Sequence, residues 1–167
     1  MGAPMWGTLI GLLDGAEPLL GLMNQPFTGE RFWSGPNASY LRTTDSKARR
    51  LKTRACPRLS DAILTTTHPD LFGDGTEIEA FARLRSKARM TRYGGDCYAY
   101  CLLAAGFVDI VVESGLKPYD VVALIPIIER AGGRVTEWDG GPAAAGGRIL
   151  ATGDKRLHDE ALRVLAR

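Results

Sequence analysis

What the 167-residue sequence lacks narrows its possibilities first. No apolar run approaches the roughly 18–20 residues of a membrane-spanning helix. Met1-Gly2-Ala3-Pro4 carries neither the basic start nor the apolar stretch of a secretory leader. The three cysteines are an odd number without C-x-x-C spacing, which fits a reducing compartment better than a disulfide framework. Neither sign of charge dominates: 21 Lys+Arg against 19 Asp+Glu leave +2, too balanced to argue for nucleic acid on charge alone. No internal repeat is present. What remains, 45% hydrophobic and 24% charged residues, is ordinary globular composition. A chain of this length forms a real core, burying roughly 70% of its unfolded surface without disulfides or a structural metal. The expectation is a soluble cytoplasmic chain with no membrane and no nucleic-acid partner.

The first third reads as an antiparallel meander. Apolar runs over 6–13 and 17–24 flank Asp14-Gly15, a hairpin signal. Short strands follow at Arg31–Ser34 and Ser39–Arg42. Residues 42–58 hold Arg42, Lys47, Arg49, Arg50, Lys52, Arg54 and Arg58 against the single acid Asp45. A solvated loop or edge explains this run better than a phosphate or base-stacking surface, because no aromatic residues are interleaved. From Asp61 strands and helices alternate: a strand at Ala62–Thr66, a helix over Thr76–Lys87 with Thr76 and Glu79 as a capping box, and a helix from Asp96 through Ala104. A buried strand at Phe107–Glu113 follows, then one helix over Lys117–Ala131 kinked at Pro126 and stopped by Gly132-Gly133. Strands at Val135–Trp138 and Arg148–Thr152 precede a last helix capped by Asp154. Such alternation predicts an α/β layer with a largely parallel sheet. The expected division is 1–58 for the meander and 59–167 for the α/β part, with Gly140–Gly147 a flexible loop.

The sharpest local constellation lies in VVESGLKPYDVVA. Glu113 is placed at the end of an apolar strand, Gly115 permits a tight turn, and Asp120 falls in the first turn of the next helix. Ligands of α/β sheets gather beyond the carboxyl ends of strands, and two acids there suit a cation such as Mg²⁺. Equally, Asp120 can simply complement a helix dipole while Glu113 is solvated. In Tyr93-Gly94-Gly95-Asp96, a helix start after glycines offers free N–H groups to an anion. Asp96 would repel an anion, so it either caps the helix or meets a cationic part of a ligand. His68, before Pro69 in a polar loop, and His158, on an exposed-looking helix, have no nucleophile beside them, and no triad can be assigned. Cys97 and Cys101 read as reduced core cysteines, and Asp74-Gly75-Thr76 as helix capping rather than an acidic metal loop.

Four stretches then resemble one known family: WGTLIGLLDGAEPLLGLMNQPFTGERF, LSDAILTTTHPDLF, RYGGDCYAYCLLAAGFVDIVVESGLKPYDVVALIPIIERAGG and LATGDKRLHDEAL. They resemble the inositol monophosphatase family, in family order over nearly the whole chain. GGDCYAY and GLKPYD look like its histidinol-phosphate phosphatase branch. The resemblance implies a Mg²⁺-dependent phosphomonoesterase with the mixed α/β, layered αβαβα sandwich, here its C-terminal portion. It implies that Asp120 is a metal ligand and that Glu113, Gly94, Gly95 and Asp96 contact the substrate. Asp96 would suit a substrate bearing an ammonium and an imidazole.

The same resemblance implies a gap. Family members carry an N-terminal region with a metal-binding glutamate and a D-P-x-D-G-T loop, and no such loop occurs in this sequence. No catalytic residue is therefore assigned, and the expectation is a truncated chain with little activity alone. A lone Asp120 would leave Mg²⁺ mostly hydrated, and the meander's edge would be free to pair with another chain. Three functions stay open: a histidinol-phosphate phosphatase, a phosphatase of inositol or another sugar phosphate, and a non-catalytic remnant that associates with partners. The partner expected is a small phosphate monoester, with a homodimer or an N-terminal part alongside. A nucleic-acid module on the basic run is a distant alternative.

Overall fold

A computed structural model describes residues 4–73 and 75–166. The meander forms as expected: β1 (Thr8–Asp14), β2 (Glu17–Gln25), β3 (Glu30–Ser34), β4 (Ser39–Arg42) and β5 (Arg49–Arg50) pair antiparallel in chain order. Asp14 faces Glu17, so Gly15 and Ala16 alone make the turn, with Gly15 at φ +58°. The row Met23, Phe32 and Leu41 points inward and is buried. The neighbouring row Ile10, Leu22, Trp33 and Tyr40 points outward, where Ile10 is exposed and Trp33 stacks on Tyr40.

The second sheet takes the order β7 (Met90–Tyr93), β6 (Ile63–Thr66), β8 (Ile110–Leu116), β10 (Gly147–Thr152), β9 (Arg134–Glu137). It is mixed rather than largely parallel. β6 runs parallel to both β7 and β8, whereas β10 is antiparallel to β8 and to β9. The cause is the segment 138–146, which returns the chain directly instead of through a helix, so that β10 slots in against the general direction. This segment is packed, not flexible: Ala143 is buried in the core, and Gly141 accepts from the Glu137 amide.

Helices fill the space on both sides of this sheet. Alternate residues of β8 and β10 divide between two cores. Val111, Ile149 and Ala151 face α2 (Asp96–Ala104), α4 (Leu124–Glu129) and the inner row of the meander. Ile110, Val112 and Leu150 face α1 (Thr76–Lys87) and α5 (Lys155–Leu165), with Phe72 stacked on Phe81 at 4.2 Å. The described residues thus build four layers, β-α-β-α. Each fully buried Leu, Ile or Phe contributes roughly 1.5–3 kcal/mol.

Several local expectations change. The helix over Lys117–Ala131 divides into α3 (Pro118–Val121) and α4, its hydrogen-bond ladder interrupted at Val122–Ala123 while both residues keep right-handed helical backbone angles. Pro126 has no N–H to offer the Val122 carbonyl, so the ladder fails one turn earlier. At that break the hairpin lies close. A Cβ on Gly21 would stand 1.7 Å from the Ala123 carbonyl oxygen, and its cross-strand partner Gly11 abuts Val122. The Gly132-Gly133 stop forms as expected, with the Gly133 amide bonded to Ile128 O and the Gly132 amide to Glu129 O. Thr76 does not cap α1. Gly75 occupies the cap without any side-chain bond, and Thr76 is the first helical residue; Asp74 lies outside the described residues. Asp154 does cap α5, accepting from the Arg156 amide.

His158 is fully buried, not exposed. Its Nε2 lies 2.9 Å from Thr136 Oγ1 and its Nδ1 3.0 Å from Thr152 Oγ1. Burial, then the Arg134 charge, lowers its pKa to about 4. The basic run is mostly solvated, as expected, except that Arg54 pairs with the buried Asp109, whose carboxylate also takes the Ile63 amide.

Candidate active site

Three parallel strands bring the site together. β7, β6 and β8 point their carboxyl ends the same way, and the residues that follow or end them converge on one face. Gly94 to Asp96 follow β7, Thr67 follows β6, and Glu113 lies at the middle of β8, with Asp120 beyond it in α3. A pocket of about 330 Å³ opens there, lined by Asp96, Glu113, Asp120, Thr67, Cys97 and Tyr100, with Gly7, Leu9, Leu71 and Leu116 as its apolar walls.

Glu113 does not end its strand. β8 continues through Gly115 to Leu116, and the Glu113 side chain is held inside it at 2% exposure. One oxygen, Oε1, accepts from both the Thr67 amide (2.8 Å) and the Thr67 hydroxyl (3.0 Å). The other, Oε2, is buried and has no partner among the described residues. Burial raises the Glu113 pKa to about 7. The Thr67 bonds pull it down, and the nearby Asp96 charge adds to the rise. Tyr100 resembles it: 3% exposed, its hydroxyl buried and without a partner among the described residues. Burial, then the Glu113 and Asp120 charges, hold its pKa well above the usual value.

Asp96 is not the cap of α2. Gly95 is, in the left-handed region, and Asp96 is the first helical residue with no side-chain capping bond. Its own φ of +41° makes it the one non-glycine residue with positive φ among the described residues. Gly94 and Gly95, at +87° and +109°, complete a run of three such residues. The Gly94 amide donates to the Thr66 and Thr67 carbonyls at 3.0 Å, tying the turn to the end of β6. Neither glycine lines the pocket; they shape the turn that presents Asp96.

Asp120 is half-buried, and its Oδ2 accepts from the Lys117 amide at 2.8 Å, closing the first turn of α3. Glu113 and Asp120 therefore do share a site, with Asp96 at its rim. They do not by themselves make a Mg²⁺ centre. No group of three or more His, Cys, Asp or Glu side chains arranged for a metal exists among the described residues, and a single carboxylate leaves Mg²⁺ largely hydrated.

Three pocket residues were not legible as such. Thr67 carries no motif, though a polar residue just past a parallel strand is the position from which α/β ligands are reached. Tyr100 looks like one more core aromatic on α2. Cys97 does not share the full burial of Cys101; it is half-exposed and forms part of the pocket wall, where burial and Asp96 raise its pKa.

No helix among the described residues is long and apolar enough to cross a membrane. The chain is 47% identical over 173 residues to a protein named bifunctional phosphatase IMPL2, chloroplastic, of Arabidopsis thaliana, covering 98% of this chain and 49% of that one. It is 32% identical over 169 residues to a histidinol-phosphatase of Streptomyces coelicolor, covering 98% of this chain and 63% of the relative. The fold superposes with a TM-score of 0.92, at 39% identity, on an inositol monophosphatase from Zymomonas mobilis, covering 99% of this chain and 64% of that one. The chain thus spans about half to just under two-thirds of the length of these proteins. Two sheets, their helices and the pocket at the parallel strand ends coincide with a match to the inositol monophosphatase family over residues 1–167, and the chain belongs to that family.

Proposed function

We propose that this chain supplies the substrate-recognising part of a Mg²⁺-dependent phosphomonoesterase, and that its substrate is histidinol phosphate. The observation that carries the reading is the grouping of Asp96, Glu113 and Asp120 around one pocket. With Asp120 turned to Mg²⁺, Asp96 and the ionised form of Glu113 favour a ligand with positive charge on its non-phosphate part, which histidinol phosphate has and inositol phosphate lacks. Identity of 32% to a histidinol-phosphatase supports the same choice. Asp120 contributes one ligand to Mg²⁺, and residues from the part of its relatives that this chain does not span contribute the others. The isolated chain therefore binds the ester but turns it over little or not at all, and it works in the cytoplasm or an organelle stroma.

The test compares binding of histidinol phosphate and inositol 1-phosphate to the chain, and phosphate release from each with Mg²⁺ or with EDTA. Preferred binding of histidinol phosphate, weakened about fivefold by Asp96→Asn as befits roughly 1 kcal/mol at an exposed carboxylate, supports the reading. Preference for inositol 1-phosphate moves the assignment to the sugar-phosphate branch.

A second reading, an associating chain without its own chemistry, has one observation in its favour. The outward face of the meander exposes Ile10, Leu12 and Leu20, at 62%, 53% and 41%, beside the free edge of β1. A partner on that face, whether the remaining portion of a family member or a second copy, would be seen as a change in mass by light scattering. Failure to bind either ester together with such a change would favour it.

A further inference from the structure

The geometry points to Tyr100 as a ligand-binding residue that, with Glu113, selects a polar group able both to donate and to accept a hydrogen bond. The inference rests on the functional reading of this pocket above, and it assigns to Tyr100 a role in specificity. Two residues that line the same cavity each carry a buried polar atom without a partner among the described residues: the Tyr100 hydroxyl and Glu113 Oε2. A buried donor left unpaired weakens a fold, and a core position on α2 would be filled better by Phe. The hydroxyl's presence is explained if its partner arrives from the pocket.

Thr67 fixes the chemistry of the pair. By occupying Oε1 twice, it leaves Oε2 as the one acceptor Glu113 can offer a ligand. The Tyr100 hydroxyl offers a donor. A ligand hydroxyl, or the N–H and N of a neutral imidazole, can answer both groups at once; a phosphate can answer only the donor, and the surrounding carboxylates repel it. Sites built to hydrogen-bond a ligand group reject analogues that lack it far more strongly than apolar pockets reject a change of size.

The experiment uses the 167-residue chain and its Tyr100→Phe variant, with two readouts. The first is the melting temperature without ligand. Removing an unpaired buried hydroxyl should raise it by about 2–4 °C or more. The second is the dissociation constant for histidinol phosphate and for phosphoethanolamine, which has an ammonium but neither hydroxyl nor ring. The variant should weaken the first by about tenfold, the equivalent of one hydrogen bond, and leave the second unchanged. A lowered or unchanged melting temperature shows that the hydroxyl serves the fold, and overturns the inference. So does a raised melting temperature with histidinol phosphate bound as before, or an equal loss for both esters. If the unaltered chain binds neither ester, the phosphomonoester reading fails, while a raised melting temperature still supports a ligand-facing role for Tyr100.

Discussion

Glu113 makes stability depend on pH in a direction opposite to that of an ordinary ion-paired carboxylate. Its pKa rises from 4.5 to about 7 on folding, chiefly through burial. Below pH 4.5 both folded and unfolded chains hold the proton, and the folded state carries no penalty. Between 4.5 and 7 the unfolded chain releases the proton while the folded one keeps it, so stability falls as pH rises. Above 7 the loss is complete, at about 3 kcal/mol. Glu113→Gln removes the titration yet keeps an oxygen for the Thr67 amide and hydroxyl. The variant and the unaltered chain should therefore melt together at pH 4 and diverge as pH rises. By pH 8.5 the variant should be the more stable by up to about 3 kcal/mol, or roughly 6–12 °C. The assay is melting by circular dichroism across pH 4–9, with divalent cations removed so that no metal offsets the charge. Parallel curves, or a variant less stable at pH 8.5, would refute the argument that burial dominates Glu113.

Two further predictions concern the scaffold. His158 should act with the opposite sign: its pKa falls on folding from 6.5 to about 4, so stability present above pH 6.5 is lost as pH drops towards 4. His158→Asn should flatten that part of the melting curve, and an unchanged slope would assign it to other groups. Gly21→Ala should destabilise the chain by about 1–3 kcal/mol, because its Cβ meets the Ala123 carbonyl; urea unfolding with no shift of midpoint would mean that the hairpin can lift away at little cost.

The elements that local chemistry dictates were legible. Asp14-Gly15, Gly132-Gly133 and Asp154 act through their own turn, cap or missing Cβ, and each does what its residue type predicts. The failures required knowledge of distant partners. Pro126 marks a broken helix, but that the break falls at Val122–Ala123 depends on the missing proline amide and on Gly11 and Gly21, about a hundred residues earlier in the chain. His158 was misread because Thr136 and Thr152, which satisfy its two nitrogens, lie on β9 and β10. The sheet was misread because nothing in the sequence 138–146 says which neighbours β10 will slide between. At the site, the acids could be proposed from their types and positions, and the family resemblance gave them roles. Thr67 and Tyr100 could not, since their importance lies in bonds made or left unmade across the sheet.

Buried side-chain atoms without partners among the described residues also occur at Thr66, Arg83 and Arg130, but Tyr100 and Glu113 bring two of them to one pocket. Among the described residues the one non-glycine at positive φ, the buried carboxylate with a pKa near neutrality and the tyrosine whose buried hydroxyl is unpaired all line one pocket. Two fully buried ionisable side chains outside the pocket are partnered: Asp109 holds Arg54 and the Ile63 amide, and both nitrogens of His158 meet hydroxyls. Three liabilities gathered at one pocket lie where a ligand can relieve them. Each liability also has a chemical sense there. Asp96, presented by a turn that only two glycines make possible, puts charge at the rim. Glu113, held through one oxygen, keeps the other for recognition, and its weakened acidity makes that recognition sensitive to pH near 7. A cationic ligand bound beside Glu113 would favour the ionised form and so flatten the stability slope between pH 4.5 and 7, linking occupancy of the pocket directly to the stability of the fold.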